Sequence, residues 1–413
     1  MSAPPISGAA RPSGASPAGQ AQAARRAQAA TSRTATPRRA EYAVLMSAVA
    51  ALCMVGLLMV LSASSVTSLR SFGDPWYYFE RQGVFLFLGV IAFFVAQGVS
   101  VQLWQRMARP LLVVTTLALM AVIVHGRSAG GASRWLGAGS LEFQPSELAK
   151  LAVVLFAADV LARREGKADW RYRAGPVLVV LAVFGALIMK QPDFGTAVVV
   201  CAIGLAVLFA AGLPLRWLGA TGGLVAVGGL ALAVSAPYRL ARLTSYLNPA
   251  AHATTTGYQS MQGLIALATG HLTGSGIGQS LASWGYLPNQ YTDFIFAVIG
   301  QETGLVGTTA VLVLFAVIGV VGTRIAWRAG TTFESLVAAG VTVWLVLQAI
   351  VNVGAVASVF PVTGVPLPFV SYGGSSLVID LFASGLLANV ARRQPGAPVH
   401  ASGGRRLEAG SSA

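Results

Sequence analysis

Tyr291-Thr292-Asp293-Phe294-Ile295-Phe296 ends the polar segment 237–292 and opens an apolar run, placing a carboxylate at its mouth. An acid at the entrance of a membrane-length helix is costly to keep, and that cost makes it a functional candidate. The rest of the chain supports the membrane reading. Its 413 residues are 55% hydrophobic and 10% charged, with mean hydropathy +0.68. Apolar runs of about 17–25 residues recur, each long enough to cross a bilayer as a helix. Spans are expected at 43–64, 83–100, 109–125, 146–162, 174–189, 193–211, 217–236, 293–321, 333–352 and 371–391. The expected fold is an all-α polytopic membrane protein of ten transmembrane helices, with a large extracytoplasmic loop between helices 7 and 8.

The net charge of +14 invites a nucleic-acid reading, but the placement of the charge excludes it. Residues 1–40 hold Arg11, Arg25, Arg26, Arg33, Arg38 and Arg39 and no acid. Further basic residues fall in the 100–109 and 163–173 loops, at Arg216, Arg324 and Arg328, and in the C-terminal tail. With these spans and a cytoplasmic N-terminus, all of them face one side, as basic loop residues of membrane proteins do. Cys53 and Cys201 lie far apart within apolar runs, so neither a disulfide framework nor metal-ligand spacing is present.

Residues 1–40 are Ala-, Ser-, Pro-, Gly- and Arg-rich and bury too little apolar surface to offset chain entropy. They are read as a disordered cytoplasmic tail, 41–393 as the transmembrane domain and 394–413 as a second disordered tail. In the outer loop, Tyr258, Met261, Leu264, Ile265 and Ala268 share one helical face and Gln259 and Gln262 another, as in a helix lying on the membrane surface. Gly270, Gly274, Gly276 and Gly278 then predict a flexible turn. The aromatics Trp76, Tyr77, Tyr78 and Phe79 read as an interfacial belt.

Several polar groups stand in or beside the spans. Glu147 and Lys150, in Gln144-Pro145-Ser146-Glu147-Leu148-Ala149-Lys150, are three residues apart and can pair on one helix face. They are either a neutralised pair or a base and a cation offered to an anion. Asp193, in Gln191-Pro192-Asp193-Phe194-Gly195-Thr196, either caps the next helix or belongs to the site. Glu302 lies two to three turns into its helix. The stretch 361–376 holds too much Pro and Gly for regular helix. Such backbone survives at membrane depth only inside protein or against a wet cavity. Outer cations, including Arg134, Lys150 and Arg242, suit an anionic substrate.

Four motifs occur in order: Gln144 to Lys150, Gln191 to Thr196, Tyr291 to Phe296, and Gly364-Val-Pro-Leu-Pro-Phe-Val-Ser-Tyr-Gly-Gly-Ser-Ser376. With the expected topology they resemble the SEDS family (shape, elongation, division and sporulation) over about residues 43–391. Gly257-Tyr258-Gln259, Gln262 and Tyr286-Leu287-Pro288 resemble its division branch more than its elongation branch. Asn289-Gln290-Tyr291 departs from the Glu-x-His of many members, and Gln301-Glu302 from the commoner Glu-Glu.

The resemblance implies a peptidoglycan glycosyltransferase that polymerises lipid II beside a class B penicillin-binding protein, an FtsI-like transpeptidase, and other divisome proteins. It maps the catalytic acid to Asp293 and supporting roles to Glu147 and Lys150. Asp193, Gln259, Gln262, Ser371, Tyr372, Gly373 and Gly374 complete the expected site. Chain growth joins a sugar hydroxyl to an anomeric carbon as pyrophosphate leaves, so a carboxylate base helps the weak nucleophile. Cations would steady the leaving group, with Lys150, Arg134 and Arg242 as candidates. A divalent cation, Mg2+ or Mn2+, held by Asp293 and other carboxylates is the rival arrangement. The competing classes are an elongation-type polymerase, a lipid II flippase and a recruiting scaffold. Against transport, no inverted repeat is evident, and the acids gather at the outer ends of the spans.

Overall fold

The computed structural model describes residues 17–129, 132–138, 141–167, 169–234, 246 and 257–393. Arg242 lies outside them, with most of 237–256. A helix overlaps each expected interval, and no interval runs past its helix by more than three residues at either end: α1 Pro17–Phe72, α2 Tyr77–Gly98, α3 Val101–His125, α4 Pro145–Arg163, α5 Trp170–Lys190, α6 Phe194–Ala210 and α7 Leu215–Val234. After the short α8 (Tyr258–Thr269) and a 3-10 turn at Leu281–Trp284 come α9 Ile295–Trp327, α10 Thr332–Val356 and α11 Gly374–Arg392. Among the described residues, seven helices are long and apolar enough to cross a membrane by length and composition.

Helix α4 is not among the seven, because Glu147, Lys150, Asp159 and Arg163 fall within its 19 residues. It sits inside the bundle instead, packed by α3, α5, α6, α10 and α11. Glu147, Lys150 and Asp159 are kept in protein rather than lipid. At the end rich in basic residues, Asp159 pairs with Arg163 at 2.5 Å and Arg109 at 3.5 Å, and Glu41 with Arg328 at 2.7 Å. The opposite end gathers Glu147, Asp193 and Asp293.

The structure departs from the sequence reading at three places. Helix α1 begins at Pro17, inside the stretch read as a tail. Ala, Gln and Arg there favour helix even where nothing apolar calls for packing. Between α3 and α4 lies a small antiparallel sheet, β1 (Arg127–Ala129), β2 (Ala132–Ala138) and β3 (Leu141–Phe143), with Leu136 opposite Phe143. Strands this short carry almost no alternation to read.

In α8 the face packed on protein is Ser260, Gly263 and Ala266, while Ile265 is 45% exposed. The small residues admit the Phe294 ring, and a Cβ at Gly263 would fall 2.8 Å from it. Of the apolar stripe, Ile265 and Ala268 are exposed, as a helix lying on the membrane surface requires, and Tyr258, Met261 and Leu264 are half-buried.

The Gly-rich stretch is docked on α9 as far as Gly276, whereas Gly278 stands in open space. Gly304 has φ 65 and breaks α9, stranding hydrogen-bonding groups on both sides of the kink. The amides of Ser275 and Gly276 donate to the carbonyls of Gln301 and Glu302 at 2.9 and 3.1 Å. The amides of Leu305 and Val306 donate to the carbonyls of His271 and Leu272 at 3.0 and 3.2 Å.

Candidate functional site

Asp293 lies just before α9, half-buried, with Thr292 Oγ1 donating to its Oδ1 at 3.0 Å. Its main chain is held at three consecutive carbonyls. Tyr372 N donates to Tyr291 O at 2.9 Å, Ser371 Oγ to Thr292 O at 2.6 Å, and Asn352 Nδ2 to Asp293 O at 2.8 Å. On the preceding side, Asn289 O accepts from the amides of Thr292 and Phe294 at 3.1 and 3.2 Å. A carboxylate on so constrained a backbone is preorganised, which suits a group that must meet a proton in one geometry.

The segment 361–373 supplies much of this clamp. It is not helical, yet Val365, Leu367, Phe369, Val370 and Ser371 are buried. It is the irregular backbone enclosed by protein that its Pro and Gly content required. Phe369 holds φ 64, a conformation that costs a non-Gly residue energy and that clusters at functional sites. Gly364 takes φ 70, and a Cβ there would lie 4.0 Å from Asp293 Oδ2. Gly373 and Gly374 begin α11, where Gly374 makes room for the Phe85 ring. Tyr291, Tyr78 and Tyr372 pack ring to ring, with Tyr291 donating to the Tyr78 hydroxyl at 3.1 Å. Burial, then that hydrogen bond, pushes the Tyr291 phenol above its usual value. The belt residue Tyr78 therefore belongs partly to the site.

Glu147 and Lys150 form an enclosed ion pair at 2.7 Å, their side chains 2% and 1% exposed. Lys150 Nζ also donates to Gln348 Oε1 at 2.7 Å and lies over the Trp344 ring. Asp193 caps α6 by accepting from Thr196 N at 3.3 Å, accepts from Gln144 Nε2 at 3.2 Å, and faces Arg134 at 3.7 Å. Arg134 donates to Pro192 O as well. Gln259 Nε2 donates to Pro288 O at 3.3 Å, which ties α8 to the turn before Asp293. Gln262 stands half-buried on the same helix.

This chain matches the family described as cell cycle protein, FtsW/RodA/SpoVE, over residues 43–395. It belongs to that family. The FtsW of Geobacter metallireducens, named a probable peptidoglycan glycosyltransferase, is 37% identical over 364 residues, 87% of this chain and 96% of its own. Stage V sporulation protein E of Bacillus subtilis is 39% identical and covers 83% of this chain and 94% of its own. Among solved structures, the rod shape determining protein RodA of Thermus thermophilus superposes with TM-score 0.63 at 32% identity, covering 84% of this chain and 95% of that one. A chain of a peptidoglycan synthase complex, in which polymerisation and crosslinking are coordinated, superposes with TM-score 0.69, also at 32% identity, covering 84% and 96%.

The FtsW/RodA/SpoVE motifs left two site residues unmarked in the sequence reading. Gln348 and Asn352 are four apart in α10, on one face of an apolar helix, and are 0% and 1% exposed. Uncharged amides stand out less than acids in such a run, although their shared face was a usable signal. Glu302 is also engaged. Its carboxylate accepts from Ser62 Oγ at 2.6 Å and Ser280 Oγ at 2.7 Å, joining α1 and the outer loop to α9. Gln301 accepts from Ala282 N at 3.1 Å. Among the described residues, no three His, Cys, Asp or Glu side chains gather where they could hold a metal. A site for Mg2+ or Mn2+ at Asp293 would therefore need ligands beyond a cluster of protein carboxylates.

Proposed function

We propose that this protein is a peptidoglycan glycosyltransferase that polymerises lipid II at the outer face of the cytoplasmic membrane, during septal wall synthesis. The observation that carries the reading is Asp293, a half-buried carboxylate on a main chain pinned at three successive carbonyls. In this reading the lipid-anchored sugar meets the protein at Asp293. In the proposed reaction Asp293 takes the proton of the acceptor hydroxyl as that oxygen attacks the anomeric carbon of the donor. The lipid pyrophosphate leaves with the bonding electrons. Arg134, 24% exposed, is the described candidate cation at this end that remains open to a leaving anion. Lys150 is enclosed and supports the site from within. The division-type relatives support a septal role beside a class B penicillin-binding protein.

The test is Asp293→Asn in purified protein, given lipid II and its partner transpeptidase. Removing a general base is expected to cost about 10²–10⁴ in rate, at an unchanged melting temperature. Polymerisation at the wild-type rate would end the assignment. A fluorescent fusion concentrated along the lateral wall rather than the septum would move the protein to the elongation role.

A further inference from the structure

We infer that Gln348 and Asn352 form a relay through which the buried Glu147–Lys150 pair sets the position of Asp293. The inference rests on the polymerase reading. Lys150 Nζ forms an ion pair with Glu147 Oε2 and donates to Gln348 Oε1, each at 2.7 Å. Gln348 Nε2 then donates to Pro366 O at 2.9 Å. One residue along, Val365 O accepts from Asn352 Nδ2 at 2.8 Å, and the same amide donates to Asp293 O at 2.8 Å. Lys150 and Asp293 are thus joined by hydrogen bonds through two side chains of one helix face and the main chain of Pro366.

Three features distinguish the relay from ordinary packing. Both atoms that Asn352 Nδ2 contacts are carbonyl oxygens, so they need a donor, and the amide is fixed in that orientation. Its Oδ1 is buried and accepts no hydrogen bond from the described residues, so the amide is held through its donors alone. Trp344 Nε1 donates to Gln348 Oε1 at 2.9 Å, which locks the rotamer that reaches both Lys150 and Pro366. Asn352 and Gln348 are positioning residues: they act on the reaction through Asp293.

A double-mutant cycle on full-length protein with its partner transpeptidase tests this, using Lys150→Met, Asn352→Leu and the pair. A small misplacement of a reacting group costs on the order of 10²-fold. Each single variant is expected to lose about that in kcat with little change in KM for lipid II. The double variant is expected to lose no more than the worse single, because both cut one path. Losses that multiply would overturn the relay, as would equal falls in melting temperature without a change in kcat. Gln348→Met, similar in volume but lacking both bonds, replaces Lys150→Met if that variant does not fold. Hydrogen exchange gives a readout independent of activity: the relay requires faster exchange at residues 292–296 in the Lys150 or Gln348 variant, and unchanged exchange there would also overturn it. Asp293→Asn runs alongside. Full activity in that variant removes the polymerase reading, whereas an inactive Asp293→Asn with an additive cycle removes the relay alone.

Discussion

Gly274 approaches Glu302 so closely that a Cβ on it would fall 2.1 Å from the Glu302 carbonyl oxygen. This contact is where the outer loop locks onto the kink of α9, and Gly274 holds φ 80 there. A side chain faces two penalties, the left-handed backbone and the clash with fixed main chain. Gly274→Ala is expected to lower stability by about 1–3 kcal/mol. Thermal unfolding of the purified protein measures this, and faster proteolysis within 270–290 should accompany it. An unchanged melting temperature together with unchanged proteolysis would mean that the loop does not depend on this contact.

How much of this was legible in the sequence follows from what each residue does. Spans announced themselves because twenty apolar residues have few other uses. Asp293 stood out because charge is rare at such a boundary. Asp193 read two ways, since capping and catalysis both recruit an aspartate at a helix start. Gly270 and Gly274 serve close approach rather than flexibility, which the sequence does not distinguish because glycine serves both, and only the partner backbone at Gly300 and Glu302 decides. Asn352 was missed because its partners are backbone carbonyls at Asp293 and Val365, which leave no mark in sequence.

Tyr291 carries a pH dependence whose sign is set by burial. Its phenol is raised above the usual value of about 10 by desolvation and then by the bond to Tyr78. The unfolded chain ionises first, so the stability that this phenol contributes is complete below about pH 10. It is lost as pH rises from there toward the folded value. The melting temperature should therefore fall on the alkaline side of about pH 10, and Tyr291→Phe should shallow that fall. Absorbance titration of the phenolates locates the ionisation directly. An equally steep alkaline slope in Tyr291→Phe would assign it to other groups.

Asp193 separates a structural carboxylate from a catalytic one. It caps α6 through Thr196 N, accepts from Gln144, and faces Arg134. Asn serves a helix N-terminus about as well as Asp, whereas Ala removes the acceptor at a cost of about 1 kcal/mol. Asp193→Ala is accordingly expected to lower stability by that amount, and Asp193→Asn to stay close to the parent in both stability and polymerisation rate. The asparagine variant isolates charge from capping. Should its rate fall while its melting temperature holds, the charge is needed to aim Arg134, and Arg134→Gln should then show the same loss in rate. If both variants keep the parent rate, the cluster at Asp193 shapes the mouth of the site without taking part in the chemistry, and the work of the outer carboxylates rests on Asp293.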